Sequence, residues 1–189
     1  MRTKRLLPLF LISVMAPATM LWGQNTYVPD DSFEQALIDL GYDDTLDDYV
    51  LTENISGVTN LNVAGKEIGD LTGIEGFTAL TFLDCGTNQL TTLDVSNHTS
   101  LRWLTCSTNL LTNLSLTPNN TALTHLQCEY NSLTTLDVSS NTSLTHFDCG
   151  GNQLTTLDVS NNTALFSFEC YDNQLTSLDV SNNTNLDEL

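Results

Sequence analysis

Positively charged residues are scarce in this sequence of 189 residues. It contains 5 Lys and Arg against 23 Asp and Glu, which gives a formal net charge of −18 at pH 7. Three of the five cations, Arg2, Lys4 and Arg5, lie at the very N-terminus. Because nucleic acids and anionic membrane surfaces are bound mainly through Lys and Arg, the sequence excludes both as partners.

An apolar segment of transmembrane length is also missing. The apolar stretch over residues 6–16 has 11 residues, whereas a membrane-spanning helix needs about 20. It follows the basic residues and precedes small ones, with cleavage after Ala18 or after Gly23 as the two alternatives. This order is typical of a secretory signal peptide. We therefore expect a signal peptide over residues 1–23, a secreted or cell-surface location and no membrane insertion.

Residues suited to catalysis are few. His98, His125 and His146 are the only histidines, and no HExxH motif, nucleophile motif or phosphate-binding glycine loop accompanies them. No cysteine stands in a CxxC pair or a Cys/His cluster, which are the patterns that bind zinc. The sequence therefore predicts that the chain is no enzyme and has no cofactor and no metal site.

The cysteines that are present follow a fixed spacing. Cys85, Cys106, Cys128, Cys149 and Cys170 are 21, 22, 21 and 21 residues apart. Each has an asparagine three positions later, and the repeating unit reads LxxLxCxxNxLxxLxVSxNxx. A fixed period of this length indicates a repeat architecture, in which each unit buries its apolar face against the next.

This unit is similar to the leucine-rich repeat, and in particular to the short bacterial class in which both halves of a 21-residue repeat carry the LxxLxL pattern. The similarity covers residues 80–189. Residues 58–79 resemble an internalin-type first repeat, and their third-residue spacing of apolar positions suggests a 3₁₀-like return. Residues 24–57 contain a helical segment with Asp at its start and Gly41 at its end. They resemble the N-terminal cap of secreted leucine-rich-repeat proteins from Bacteroidetes-type bacteria.

The resemblance implies a leucine-rich-repeat solenoid of mostly short parallel β-strands stacked in right-handed coils behind a small helical N-terminal cap. We expect one strand per half-repeat. Alternate strand residues face opposite sides, so Leu104 and Cys106 are predicted to point inward, and Trp103 and Thr105 outward. The cysteines then form a buried column of unpaired thiols, with disulfides disfavoured. The asparagines that follow them are predicted to bond backbone groups at the turns.

The outward positions of the two halves differ. Those of the second half repeat almost unchanged, as in Thr156-Asp158-Ser160, which predicts a structural face whose aspartates attract either diffuse counterions or Ca²⁺. Those of the first half vary from copy to copy. Their aromatic and acidic side chains resemble a recognition surface, although repeat drift on a solvated sheet gives the same pattern. The candidate ligand-binding residues are Phe82, Trp103, His125, Glu129, His146, Asp148, Glu169 and Tyr171.

By analogy with bacterial adhesion and surface modules, the sequence predicts a non-catalytic extracellular recognition or adhesion module that binds a protein or carbohydrate ligand. The alternative is a structural or assembly fragment without a ligand. The chain stops inside a new repeat, at residues 186–189, without the polar terminal cap that repeat proteins normally need. We therefore expect either a truncated gene product or end-to-end self-association through the C-terminal coil.

Overall fold

The N-terminal region is built around one capped helix. The computed structural model describes residues 23–116 and 120–187, so nearly all of the predicted signal peptide lies outside the described residues. Helix α1 (Asp31–Asp39) begins after Asp30, whose side chain accepts a hydrogen bond from the Phe33 N–H at 2.9 Å. It ends before Gly41, which has a left-handed φ of +80°. The capped helix predicted from the sequence is confirmed.

Helix α1 packs in the cap with two short strands and a second helix, and its N-cap residue contacts the first repeat. Strand β1 (Asn25–Tyr27) pairs antiparallel with β2 (Tyr49–Leu51), and the short helix α2 (Thr52–Ile55) follows. The second carboxylate oxygen of Asp30 accepts the N–H groups of Gly69 and Asp70, both at 2.9 Å.

No helix in the described part of the chain is long and apolar enough to cross a membrane.

One parallel sheet runs the length of the molecule, and each of its strands comes from a successive coil. In spatial order its strands are β3 (Asn60–Asn62), β4 (Phe82–Asp84), β6 (Trp103–Thr105), β8 (His125–Gln127), β9 (His146–Asp148) and β10 (Ser167–Glu169). Equivalent residues lie opposite one another, so Leu104 pairs with both Leu83 and Leu126. The predicted leucine-rich-repeat solenoid of short parallel strands is confirmed.

The inward columns form the core. Leu104 and Cys106 are fully buried, and Trp103 and Thr105 are only partly buried, as the alternation predicts. All five thiols are unpaired, and only Cys170 is incompletely buried. Burial raises the pKa of the Cys106 and Cys128 thiols well above its ordinary value. The cysteines therefore act as small apolar side chains, as predicted.

A ladder of asparagines closes the turn after each main-sheet strand. The Asn109 amide donates hydrogen bonds to the carbonyls of Cys85 and Cys106 at 3.0 and 3.1 Å, and its carbonyl oxygen accepts the Leu90 N–H at 3.0 Å. Asn131 repeats this pattern one coil later. Each asparagine thus connects two coils through backbone groups that neither sheet nor helix would satisfy, which confirms the prediction.

The second-half face departs from the prediction of one strand per half-repeat. Among the described residues, only β5 (Thr92–Asp94) and β7 (Asn113–Ser115) pair there. Beyond β7 a groove of about 520 Å³ opens between the coils and is lined by Leu136 and Leu157, which are partly exposed. The coils remain connected on this side by buried asparagines, since the Asn162 amide donates to the Val138 and Asn141 carbonyls of the preceding coil at 2.9 Å.

The first repeat has its own geometry. It contains a single 3₁₀ turn (Ile74–Gly76), which confirms the 3₁₀-like return predicted from apolar spacing. His98 occupies the position where later coils have a buried asparagine, and it is itself buried. Its Nε2 lies 3.0 Å from the Ile74 carbonyl oxygen. The longer imidazole thus bridges the second coil to the 3₁₀ turn of the first.

Candidate functional site

The predicted candidate residues share one outward surface. We call this surface the variable face; it comprises the outward side chains of strands β4, β6, β8, β9 and β10 and of the two residues after each strand. The strands are in register. Equivalent residues on neighbouring strands are therefore about 4.8 Å apart and form columns across the sheet. All eight predicted residues lie on it: Phe82, Trp103, His125, Glu129, His146, Asp148, Glu169 and Tyr171.

The first column is a row of stacked rings, here called the aromatic row. The Trp103 and His125 ring centroids are 4.1 Å apart with an interplanar angle of 9°, and those of His125 and His146 are 4.4 Å apart at 7°. Phe82 extends the row beyond Trp103 at 6.1 Å. The rings cover one another's faces, so the row presents mainly ring edges to the solvent.

Threonines fix the orientation of both imidazoles. The Thr124 hydroxyl donates to the Arg102 carbonyl at 3.0 Å and also lies 3.0 Å from His125 Nδ1. A hydroxyl has one proton to donate, so the Nδ1–H of neutral His125 donates to this hydroxyl and Nε2 is left as an acceptor. Thr145 holds His146 in the same way.

Burial and the nearby charge of His146 favour the neutral form of the His125 imidazole. The pKa of His125 is lowered, chiefly by desolvation and further by His146. Both effects disfavour a second positive charge in a stack of rings 4.4 Å apart. At neutral pH the His125 imidazole is therefore uncharged, and its Nε2 is available as an acceptor.

Carboxylates lie beside the aromatic row and form what we call the acidic strip: Glu129, Asp148 and Glu169. Asp148 accepts the Gly150 N–H at 2.9 Å through Oδ1. Burial raises the pKa of Asp148, and burial together with the charges of Asp148 and Glu169 raises that of Glu129. A positively charged group placed here would relieve this accumulation of negative charge.

Two tyrosines border the acidic strip on its far side. The rings of Tyr130 and Tyr171 meet edge to face, with centroids 6.2 Å apart. A hydrogen bond with Tyr130 raises the pKa of Tyr171. A Cβ on Gly150 would overlap the Tyr171 ring, and one on Gly151 would come within 2.7 Å of the Tyr130 ring. The absence of a side chain at both glycines therefore allows the two rings to approach the backbone closely.

A shallow groove lies along the aromatic row and part of the acidic strip. It has a volume of about 310 Å³ and is lined by Trp103, His125, His146, Asp148 and Glu169, among others. Its floor is the outward surface of the sheet, so its shape is fixed by backbone pairing. The groove thus combines aromatic side chains with negatively charged ones.

Two exposed aromatic residues beside the variable face were missed in the sequence. Phe166 is 46% exposed, and its ring lies 6.1 Å from that of His146. Tyr130 is 56% exposed and follows the outward position of its coil, where the chain already turns. An aromatic residue in a column otherwise filled by Thr or Arg was the available signal for Phe166.

On the second-half face the carboxylates are bonded locally. Asp158 accepts the Ser160 N–H at 2.9 Å, and hydrogen bonds with Ser160 lower its pKa. Asp137 and Asp179 make the same local contacts. These carboxylates are already bonded within their own coil, so this column carries no geometry specific to Ca²⁺.

Comparison with curated proteins links the chain to one internalin. No family model matches the chain. Internalin J of Listeria monocytogenes is 42% identical over 74 residues, which make up 39% of this chain and 8% of internalin J. The chain therefore corresponds to only a small part of that protein.

Solved structures give the same relationship over more of the chain. The functional domain of internalin J from Listeria monocytogenes, which includes a cysteine ladder, has a TM-score of 0.71 and 37% identity, covering 88% of this chain and 42% of that domain. Internalin C2 from the same species has a TM-score of 0.62 and 22% identity, covering 88% of this chain and 87% of its own. A leucine-rich-repeat protein of Leptospira interrogans has a TM-score of 0.62 and 24% identity, covering 69% and 36%. The chain thus has the leucine-rich-repeat fold of these internalin structures.

Proposed function

We propose that this chain is a non-catalytic extracellular recognition module that binds an Arg- and Lys-rich segment of a partner protein through the variable face. The acidic strip carries the proposal. Asp148 and Glu169 offer carboxylate oxygens and border the groove, and the neighbouring His125 imidazole offers an acceptor nitrogen. Arg and Lys side chains contain only donors, so they complement this surface in both charge and hydrogen bonding.

A protein partner suits the aromatic row better than a sugar. Saccharide rings usually pack on the open face of an aromatic ring, but Trp103 and His125 cover each other's faces at 4.1 Å. The exposed apolar surface is instead supplied by the ring edges of the aromatic row and by Phe166, which is 46% exposed. Such an uneven apolar border resembles the aromatic anchors of protein interfaces.

The extracellular setting rests on the N-terminal segment. Its basic start, apolar stretch and small residues before residue 24 are typical of exported proteins. The similarity to internalins supports a recognition role for the fold, while the segment recognised depends on the side chains of this variable face.

The proposal is tested with two pools of fluorescein-labelled nonapeptides, one containing Arg and Lys at alternating positions and the other Glu. We expect the basic pool to bind the wild-type chain in fluorescence anisotropy at physiological ionic strength. The double variant Asp148→Asn/Glu169→Gln should bind it about tenfold more weakly, a change of about 1.4 kcal/mol. The acidic pool should not bind.

A matched control separates the site from overall charge. Asp158→Asn/Asp179→Asn also removes two negative charges, but from the second-half face. There each carboxylate accepts a hydrogen bond from a serine of its own coil. This control should bind the basic pool as the wild type does. Equal losses in both double variants would contradict the proposal, as would selective binding of neutral oligosaccharides instead of peptides.

A further inference from the structure

The cap contains a buried carboxylate that is only half satisfied. Glu34 lies in the first turn of α1 and is fully buried. Its Oε1 accepts the N–H groups of Asp47 and Tyr49 at 2.9 and 3.0 Å. Its Oε2 is also buried and has no hydrogen-bond partner among the described residues. An unpaired buried carboxylate oxygen lowers the stability of the fold. A cation bound at Oε2 would remove this penalty.

Two further carboxylates converge on Glu34. One oxygen from each of Asp31, Glu34 and Asp48 can be chosen so that all three lie within 4.8 Å of one another. Asp31 and Asp48 are exposed, so an ion has access from the solvent. Because Oε1 of Glu34 is occupied by backbone N–H groups, Oε2 is the oxygen left for an ion.

The surroundings add negative charge and no compensating cation. Burial raises the pKa of nearby Asp43, and the charge of Glu34 contributes to this shift. Within residues 23–116 and 120–187, the one ion pair of a Lys or Arg joins Lys66 to Asp39 at 3.4 Å. The three carboxylates therefore face one another without a basic side chain to neutralise them.

We propose that Asp31, Glu34 and Asp48 bind a Ca²⁺ ion that joins the start of α1 to the segment leading into β2. Ca²⁺ is a hard cation that takes carboxylate oxygens at about 2.3–2.6 Å, so ligands on opposite sides of the ion are roughly 4.6–5.2 Å apart. The spacing of up to 4.8 Å fits this geometry. Mg²⁺, with bonds of about 2.0–2.1 Å, requires a tighter cluster.

Binding should stabilise the cap. Asp30, adjacent to Asp31, already bonds the first repeat through the N–H groups of Gly69 and Asp70. An ion that fixes the start of α1 therefore also fixes the contact between cap and solenoid. Because Ca²⁺ would bind only the folded arrangement, it should raise the melting temperature of the chain.

The experiment titrates the EGTA-treated full chain with CaCl₂ by isothermal titration calorimetry and follows unfolding by circular dichroism. We expect one Ca²⁺ per chain and a higher melting temperature than in MgCl₂ of equal ionic strength. Asp48→Asn removes one ligand charge, and Asn tolerates the left-handed φ of +67° at this position. This variant should bind Ca²⁺ at least about tenfold more weakly, because affinity depends on the number of charged ligands.

Asp44→Asn is the matched control, since it removes one charge from the same acidic segment but lies outside the cluster. It should retain wild-type affinity. Asp31→Asn provides a second ligand variant on the helix and should lose affinity as Asp48→Asn does. The proposal is overturned by the absence of calorimetric binding to the folded wild-type chain, or by equal affinity in the ligand variants and Asp44→Asn.

Discussion

At the scale of single residues, the asparagines after each main-sheet strand perform a task that no apolar residue can. The side chain of Asn109 satisfies two carbonyls and one N–H from two coils. These backbone groups lie at a turn, beyond the reach of the sheet ladder. Because each coil repeats the contact, a single period in the sequence produces a continuous hydrogen-bonded ladder through the interior.

Substitution of Asn109 by Ala should therefore be strongly destabilising. It leaves the buried Leu90 N–H without its acceptor and removes one of two amide donors from each of the Cys85 and Cys106 carbonyls, so we expect the free energy of unfolding to fall by about 1–3 kcal/mol. Urea denaturation followed by circular dichroism measures this change. Asn97→Ala, at an exposed position, should change stability by less than about 0.5 kcal/mol. A similar small effect at Asn109 would refute the ladder's role.

At the scale of elements, strand register creates contacts that no single coil contains. His125 and His146 stack because β8 and β9 pair residue for residue. The same register places Trp103 against His125. The sheet thereby turns isolated aromatic residues, spaced by 21 or 22 positions in the chain, into one rigid row.

This stack should make stability depend on pH. The folded pKa of His125 is lowered, whereas the unfolded value is about 6.5. Between these values the unfolded chain binds more protons, so the stabilisation is present at pH 7.5 and is lost as the pH falls below about 6.5. His125→Phe keeps a ring in the stack but cannot titrate. Its urea midpoint should fall less between pH 7.5 and 5.5 than that of the wild type.

The raised pKa values of Glu129 and Asp148 act in the opposite direction at lower pH, since these groups bind protons more readily in the folded chain. They are present in both proteins, so the difference between wild type and His125→Phe isolates the imidazole. Identical pH dependence of the two proteins would rule out a contribution from the stack.

At the scale of the whole molecule, the solenoid concentrates like charges. The chain carries a net charge of −18, and successive coils place Asp137, Asp158 and Asp179 in equivalent positions on the second-half face. Local hydrogen bonds with serines satisfy each carboxylate but do not remove the repulsion between coils. Electrostatic repulsion among these carboxylates therefore destabilises the folded chain.

Salt should consequently stabilise the fold. Raising NaCl from about 10 to 150 mM shortens the Debye length from about 30 to 8 Å. A gain of about 1 kcal/mol would raise the melting temperature by roughly 2–4 °C for a chain of this size, measured by circular dichroism in Ca²⁺-free buffer. Asp137→Asn/Asp158→Asn/Asp179→Asn should gain less from the same salt. A melting temperature that falls with salt would contradict this account.

The period of the sequence was sufficient to predict the solenoid, the buried cysteines and the asparagine ladder, because a fixed repeat length places equivalent side chains one above another. The same period predicts that Trp103 and His125 share one outward column. The Bacteroidetes-type origin, the doubled-repeat class, the domain boundaries and the end-to-end association remain predictions. The expectation of a strand in every second half was wrong, since Leu136 and Leu157 line an open groove there.

The sequence by itself thus determined which residues face inward and which share a column, since strand alternation and repeat length are local properties of the chain. Only the tertiary structure decided which half-repeats pair as strands, because pairing depends on how neighbouring coils pack against one another. The same holds for Asp31, Glu34 and Asp48. The first two are one helical turn apart, but the third is brought to them by the folding of the cap, a contact that no period in the sequence encodes.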